Sequence, residues 1–266
     1  MGITAVLIAT AAVGGIGAVM GCLLGVAETQ FSVKKDEKEA AVRELLPGSN
    51  CGGCGYPGCD GLAAAIAKGE APCDQCPSCS AEITAKIAEV MGQAPGAAKE
   101  KKVAFVMCAG DCESAKKRYD YKGISKCSEV SLVLGGDKAC AYGCLGYGEC
   151  VSVCSFGAIS IKNGIAVVDR EKCTACGMCV KECPKHIIEL VPYKKKYFVA
   201  CYSNDKGKDV KASCGSGCIG CRLCAKSCPK EAIEITDNLA HISYDKCVGC
   251  GICAKKCPVG AIQKIV

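Results

Sequence analysis

Three runs of four cysteines constrain the fold of this chain more than any other feature of its sequence. They read CTACGMCVKECP at 173–184, CIGCRLCAKSCP at 218–229 and CVGCGICAKKCP at 247–258. In each run three cysteines are three residues apart, a fourth follows four residues later, and proline comes next. Such tight, repeated spacing is typical of metal ligands rather than of disulfide-bonded loops. The chain has 28 Cys in 266 residues and is long enough to bury a core without disulfides.

The spacing is the bacterial ferredoxin signature, in which three thiolates of one run and the fourth of another hold a 4Fe-4S cluster. Zinc is the competing metal, but zinc sites usually take two separated cysteine pairs. Residues 193–266 therefore contain two complete sites. We assign one to Cys218, Cys221, Cys224 and Cys257, and its mate to Cys247, Cys250, Cys253 and Cys228.

Residues 103–192 repeat this arrangement with one irregularity. VAFVMC before 109 matches KYFVAC before 202, and CAYGC at 140–144 matches CGSGC at 214–218. One cluster is assigned to Cys173, Cys176, Cys179 and Cys154. Its mate would take Cys144, Cys150 and Cys183, but Tyr147 stands where the remaining ligand belongs. We predict that Cys140, the nearest spare thiol, substitutes; a three-ligand or unfilled site is the alternative.

The stretch CGGCGYPGC at 51–59 predicts a fifth cluster. Its glycines let the backbone wrap closely around a metal group. We assign the site to Cys51, Cys54, Cys59 and Cys76, with Cys73 and Cys79 as rivals for the fourth place.

The sequence thus predicts five 4Fe-4S clusters and leaves a sixth open. Twenty cysteines are assigned. The others are Cys22, Cys73, Cys79, Cys108, Cys112, Cys127, Cys201 and Cys214. Cys108, Cys112 and Cys127 could join Cys140, Cys201 or Cys214 in a further site. The formal charge of +6 at pH 7 would become about −4 with five oxidised clusters of about −2 each, so it does not indicate a nucleic-acid partner.

The N-terminal segment ITAVLIATAAVGGIGAVMGCLLGVA, residues 3–27, has no charged residue. Its length matches a hydrocarbon core of about 30 Å, so it predicts a single transmembrane helix. A cleaved signal or a lipoprotein processing site ending at Cys22 is the alternative, but the segment lacks a basic start. The following KKDEKE predicts that the main body lies in the cytoplasm, where reduced thiols persist.

These patterns predict an α+β chain with a transmembrane anchor at 1–28, a helical 4Fe-4S domain at 29–92 and a linker at 93–102. Two tandem dicluster ferredoxin-like domains follow, at 103–192 and 193–266. Within each repeat a hairpin separates the cysteine runs, with its turn at Asn163-Gly164 or Asp237-Asn238. Short helices are expected over 36–46, 61–71 and 81–92.

The glycine-rich N-terminal segment, the stretch LPGSNCGGCGYPGC and the ferredoxin runs together resemble the B subunit of Rnf complexes, in a long form with two ferredoxin-type repeats. That family belongs to membrane-bound, ion-translocating ferredoxin:NAD oxidoreductases. The resemblance implies that the chain accepts electrons from reduced soluble ferredoxin and passes them to other Rnf subunits in the membrane. Nicotinamide chemistry and ion pumping would lie in those other subunits.

Sequence features of other functions are missing. There is no P-loop, no dinucleotide fingerprint after a strand and no nucleophile–His–acid set, and His186 and His241 are isolated. We therefore interpret the chain as an electron wire, with the 51–76 site nearest the membrane. A polyferredoxin subunit of a hydrogenase or quinone reductase and an iron–sulfur redox sensor are the alternatives.

Overall fold

The computed structural model describes residues 2–30, 36–94 and 100–265, without the side chains of 3–10 and 28–30. Lys34 and Lys35 of the predicted charged flank, and residues 95–99 of the predicted linker, lie outside this description. Within it the chain is a mixture of short helices and two-stranded antiparallel sheets. The α+β part of the predicted fold class is therefore confirmed.

The N-terminal helix α1 covers Ile3–Gln30. Within the described part of the chain, however, no helix combines the length and the apolar character that crossing a membrane requires. The prediction of a single transmembrane helix over 1–28 is wrong on this finding.

Three helices form the unit that follows: α2 (Glu37–Leu45), α3 (Cys59–Ala67) and α4 (Ala81–Met91). The helices α2 and α4 start where side chains can cap them: Asp36 accepts a hydrogen bond from the Lys38 N–H, and Ser80 accepts one from the Ile83 N–H. Such caps satisfy backbone donors that have no partner within the helix. The core of this unit is formed by Val42, Leu62, Ala63, Ile66, Ile87 and Ala88.

The first repeat contains two sheets of two strands each, with short helices between them. Its elements are β1 (Lys102–Val106), α5 (Cys127–Leu132), α6 (Glu149–Ser152), β2 (Ile159–Lys162), β3 (Ile165–Val168), α7 (Met178–Glu182) and β4 (Ile188–Pro192). The first and last strands pair antiparallel, with Ala104 opposite Leu190. Strands β2 and β3 form the central hairpin, with Ser160 opposite Val167.

The second repeat has the same plan. Its elements are β5 (Tyr197–Val199), α8 (Gly207–Ser213), α9 (Leu223–Lys226), β6 (Ile233–Thr236), β7 (Leu239–Ile242), α10 (Ile252–Lys256) and β8 (Ile262–Lys264). The outer strands β5 and β8 pair antiparallel, and β6 and β7 form the hairpin. Both predicted hairpins are confirmed, including their turns.

The backbone conformation of the two hairpin turns explains why Asn, Gly and Asp occupy them. Asn163 and Gly164 have φ of 48° and 73°, and Asp237 and Asn238 have φ of 47° and 62°. Two consecutive positive φ angles give the turn whose twist matches that of the flanking strands. Glycine, asparagine and aspartate tolerate this conformation best.

An aromatic contact joins the two repeats. Phe198 of β5 is 0% exposed and packs with Val103 and Val191 of the first repeat. Its ring centroid lies 5.0 Å from that of Phe105. Backbone hydrogen bonds add to the contact, including one of 2.9 Å from the Ala109 N–H to the Ala200 carbonyl. The repeats therefore share part of their core.

We expect the substitution Phe198→Ala to destabilise this junction by about 3–5 kcal/mol, because it leaves a cavity in a closed core. For a chain of this size the loss corresponds to a fall in Tm of roughly 10 °C. Calorimetry of the anaerobic protein measures it. The matched control is Leu132→Ala, at a side chain that is 80% exposed, and an equal fall in both variants would contradict the assignment.

Candidate iron–sulfur sites

Two of the predicted ligand sets surround cavities in the described structure. Cys154, Cys173, Cys176 and Cys179 line one of them, and Cys228, Cys247, Cys250 and Cys253 line the other. In each set three cysteines come from one loop, and the fourth is the last cysteine of another run. The structure therefore brings together the crossed-over sets that the spacing predicts.

A third predicted set gathers around Cys224. Burial raises the pKa of this thiol to about 11, and the neighbouring thiols of Cys218, Cys221 and Cys257 contribute to the rise. An electrostatic influence of this kind acts over a few ångströms. Cys218, Cys224 and Cys257 also pack in one cluster, so these three predicted ligands are neighbours.

The chemistry of these groups fits the cationic core of an iron–sulfur cluster. Burial raises the pKa of Cys179 and of Cys150 to about 12, so a bare thiolate is disfavoured there. A bound metal reverses this preference because it needs the deprotonated sulfur.

Backbone N–H groups already point at sulfur. Those of Ala104, Ala158 and Ala232 donate to the thiols of Cys173, Cys154 and Cys228 in that order, each at 3.3 Å. Hydrogen bonds to the sulfurs are one of the factors that set the reduction potential of a cluster. The predicted sites therefore have the donors that such a group requires.

The irregular site of the first repeat is built differently from the prediction. A cavity in the first repeat is lined by Cys144, Cys150, Cys183 and Cys127. Cys140, predicted as the substitute ligand, lies in another cavity together with Cys108. The structure thus offers a full set of four thiols here, with the fourth coming from α5.

Cys127 reaches this site because α5 is fixed to α6. Cys127 is the first residue of α5, and the next residue, Ser128, binds the carboxylate of Glu149 at the start of α6. The Ser128 backbone N–H donates to Glu149 Oε2 at 2.8 Å and its hydroxyl donates to Oε1 at 2.5 Å. A carboxylate at a helix N-terminus is favourable because it pairs with unsatisfied N–H groups.

Tyr147, at the vacant ligand position, has another role. Its hydroxyl donates to Asp137 Oδ2 at 3.1 Å, and burial together with this contact raises the pKa of Tyr147 to about 12. The side chain is a neutral hydrogen-bond donor near the site and does not line the cavity.

The loop at 51–59 is closed by polar contacts to its backbone. Asn50 Oδ1 accepts a hydrogen bond of 2.8 Å from the Cys59 N–H, where α3 begins. Gln75 donates to the Cys54 carbonyl at 3.1 Å. The Asn50 contact closes the loop at Cys59, and the Gln75 contact holds Cys54 against the turn that carries Cys76.

The rivals for the fourth place differ in their surroundings. The buried Cys73 thiol donates to Gln93 Oε1 at 3.4 Å, so it has its own partner. Cys79 hydrogen-bonds to Cys76, which lowers the pKa of Cys76 to about 6 and raises that of Cys79. Cys76 and Cys79 therefore lie beside each other, with Cys79 near Cys54 and Cys59, and both remain candidates for the fourth ligand.

This N-terminal site touches the first repeat. A Cβ added at Gly53 would collide with the carbonyl oxygen of Cys176, so only glycine permits this approach. The hydroxyls of Ser78 and Thr174 hydrogen-bond at 3.1 Å across the same contact. The 51–76 site thus adjoins the site that contains Cys176.

Among residues 2–30, 36–94 and 100–265, no three His, Cys, Asp or Glu side chains are arranged to hold a single metal ion.

Comparisons with known families agree with these sites. A family model for an Fe-S cluster matches residues 46–78, the 4Fe-4S binding domain matches 166–189, and the 4Fe-4S dicluster domain matches 217–261. The chain is 48% identical over 245 residues to the B subunit of the Na(+)-translocating ferredoxin:NAD(+) oxidoreductase complex of Acetobacterium woodii. The match covers 92% of this chain and 73% of the relative.

Two further relatives align over most of their length. The B subunit of the ion-translocating oxidoreductase complex of Methanosarcina acetivorans is 41% identical, over 89% of each chain. The B subunit of the proton-translocating ferredoxin:NAD(+) oxidoreductase complex of Clostridium ljungdahlii is 38% identical, over 85% of this chain and 80% of its own. The chain belongs to the B-subunit family of Rnf complexes. The resemblance drawn from the sequence is confirmed, and the matched 4Fe-4S domains support iron–sulfur clusters as its cofactors.

We expect Cys127→Ser to lose iron from one cluster, up to about four atoms per chain, because the site keeps only three thiols. Iron and acid-labile sulfide are counted after anaerobic purification. Tyr147→Phe is the matched control and keeps its iron, since only the hydrogen bond to Asp137 is removed. A full iron content in Cys127→Ser would refute Cys127 as the fourth ligand.

Proposed function

We propose that the chain is the electron-transfer B subunit of an ion-translocating ferredoxin:NAD oxidoreductase complex. It accepts electrons from reduced soluble ferredoxin and passes them to the other subunits in the membrane. Membership of the B-subunit family supports the assignment to this complex. Since iron-ligating thiols persist in a reducing compartment, we assign the chain to the cytoplasmic side.

The observation that carries this proposal is the contact between neighbouring thiol groups along the chain. The 51–76 site touches the 154–179 site at Gly53 and Cys176. In each repeat the last cysteine of each run belongs to the site formed by the other run, so the two sites of a repeat share loops. Bound 4Fe-4S clusters would supply reversible one-electron chemistry. The protein would hold the sulfurs in apolar surroundings and direct backbone N–H groups at them.

The second repeat fits an acidic electron donor. Residues 193–266 contain 13 Lys and Arg against 6 Asp and Glu, an excess that two clusters of about −2 each would reduce without reversing. Cys250 is exposed, and exposed Val248 and Ile252 flank it, followed by exposed Lys255 and Lys256. Basic charge around a small apolar contact steers an anionic partner and speeds its association.

The N-terminal helical unit is suited to pass electrons to the other subunits of the complex. The N-terminal helical unit adjoins the first repeat through the Gly53 contact, whereas Cys250 belongs to the second repeat. We therefore propose that the 51–76 site is the last one before the membrane subunits. The sequence has no nucleotide-binding motif, so nicotinamide chemistry would remain with other subunits.

We expect the double substitution Lys255→Glu and Lys256→Glu to slow reduction by ferredoxin about tenfold at low salt, because charge reversal removes electrostatic steering. Stopped-flow bleaching of the cluster absorbance measures the rate. Lys122→Glu, at an exposed lysine of the first repeat, is the control. Equal rates in the double variant and the control would count against docking at the second repeat.

We expect Cys54→Ser to keep the ferredoxin-type clusters and to stop electron delivery to the complex, because the last site loses a ligand. Ferredoxin-driven NAD reduction by the purified complex measures delivery, and EPR of the reduced chain reports the remaining clusters. Normal NAD reduction by this variant would rule out the proposed exit.

A further inference from the structure

A small cavity lies between the two repeats and is lined by four cysteines that the matched domains do not include: Cys108, Cys140, Cys201 and Cys214. Cys201 and Cys214 are buried, and Cys108 and Cys140 are half-buried. All four are free thiols. Like the cavities at the predicted cluster sites, it is lined by four cysteines.

The four thiols come from equivalent positions in the two repeats. Cys108 stands two residues after β1, and Cys201 stands two residues after β5. Cys140 and Cys214 each begin a CxxxC pattern that ends at the next cysteine of the repeat. Each repeat therefore contributes one thiol after its first strand and one before its ferredoxin run.

Hydrogen bonds between the repeats fix the walls of this cavity. The Gly215 N–H donates to the Ser114 carbonyl at 2.8 Å, and the Lys116 N–H donates to the Ser213 carbonyl at 3.0 Å. The hydroxyls of Ser216 and Ser114 are 2.9 Å apart. These contacts hold Cys214 against the first repeat, so the four-thiol arrangement is built into the fold.

Mutual electrostatic effects place the thiols around one centre. Burial raises the pKa of Cys140, and Cys108 and Cys214 contribute to the rise. Burial likewise raises the pKa of Cys201 to about 11, with smaller contributions from Cys218 and Cys140. Each of these thiols therefore has others of the set within interaction distance.

Lys138 supplies an independent observation. It is 5% exposed, lines the cavity, and donates to the carbonyls of Gly110 at 2.9 Å and Gly164 at 3.0 Å. Among the ion pairs of the described residues, none involves Lys138. Asp111 lies within electrostatic range of this ammonium but forms no ion pair with it, so an anionic group in the cavity would further offset the cost of burying the charge.

We propose that Cys108, Cys140, Cys201 and Cys214 hold a further 4Fe-4S cluster between the repeats, with Lys138 offsetting its negative charge. Each thiol loses one proton on ligation. Thiolates in a group of four suit a cubane, as at the other sites. The identity of this site does not depend on the complex in which the chain works, whereas its role in electron transfer rests on the proposed function.

The position of this site would join the two repeats electronically. On one side the Cys144 N–H donates to Cys108 Sγ at 3.3 Å, and Cys144 belongs to the site of Cys127. On the other side Cys201 lies within electrostatic range of Cys218. The junction site would take one electron from the second repeat and give one to the first, so no net charge accumulates in transfer.

The test removes one thiol from each repeat in the full-length chain, as Cys140→Ser with Cys214→Ser. After anaerobic purification we expect a loss of about four iron and four sulfide per chain, out of about 24 of each for six clusters. Cys112→Ser is the control, because Cys112 is exposed and lines none of the cavities described above. Iron equal to that of the control would overturn the proposal.

A second variant covers the case in which the double variant does not fold. Lys138→Met keeps the stem of the side chain and removes its charge, so we expect full iron but a more negative midpoint potential of one cluster in an EPR-monitored titration. Lys138→Arg is expected to restore the potential. Unchanged potentials in Lys138→Met would overturn the charge assignment, and about 20 rather than about 24 iron in the unsubstituted chain would overturn the cluster.

Failure of this proposal is distinguishable from failure of the proposed function. Five clusters per chain with normal ferredoxin-driven NAD reduction would reject the junction site and leave the function intact. Six clusters per chain without electron delivery to the complex would support the junction site and reject the proposed function.

Discussion

Metal ligation by groups of cysteines is the interaction on which the rest of this structure depends. The elements are too small to be stable alone: α6 and α9 have 4 residues each, and every sheet of the described chain has two strands. Isolated helices and hairpins of this size are marginal in water. Iron bound by four thiolates would supply the missing stability, since metal binding to such sites is coupled to folding. The conformation of each cysteine-containing loop would then be set by the positions of its sulfurs around the bound iron.

Duplication explains how the sites come to adjoin one another. Each repeat crosses its cysteine runs over to form two sites, and the aromatic packing around Phe198 holds the repeats together. The same interface brings Cys108 and Cys201 to one cavity. The Gly53 contact attaches the N-terminal site to the first repeat. An electron carrier needs this continuity because transfer between centres requires short separations, and the fold provides it with little additional structure.

Local patterns in the sequence predicted the local parts of the structure. The regular sites follow a fixed, repeated cysteine spacing, and the helices over 36–46 and 81–92 and both hairpin turns depend on residues close together in the chain. The fourth thiol of the irregular site lies outside that spacing: Cys127 reaches the site through the contact of Ser128 with Glu149. Sequence proximity favoured Cys140, which instead faces the second repeat. The one sequence signal for this ligand was that Cys127 is an unassigned cysteine in the part of the first repeat that the second repeat lacks. The apolar N-terminal segment predicted a membrane span that the described residues do not form.

Native mass spectrometry of the anaerobically purified chain tests the central claim most directly, because it weighs the bound groups on the intact protein. We expect a mass above that of the 27.3 kDa apo chain by increments of about 350 Da, the mass of one Fe4S4 unit, with six increments at full occupancy. A chain that carries zinc, or whose mass shows cysteines joined as disulfides and no iron–sulfur increments, would contradict the account.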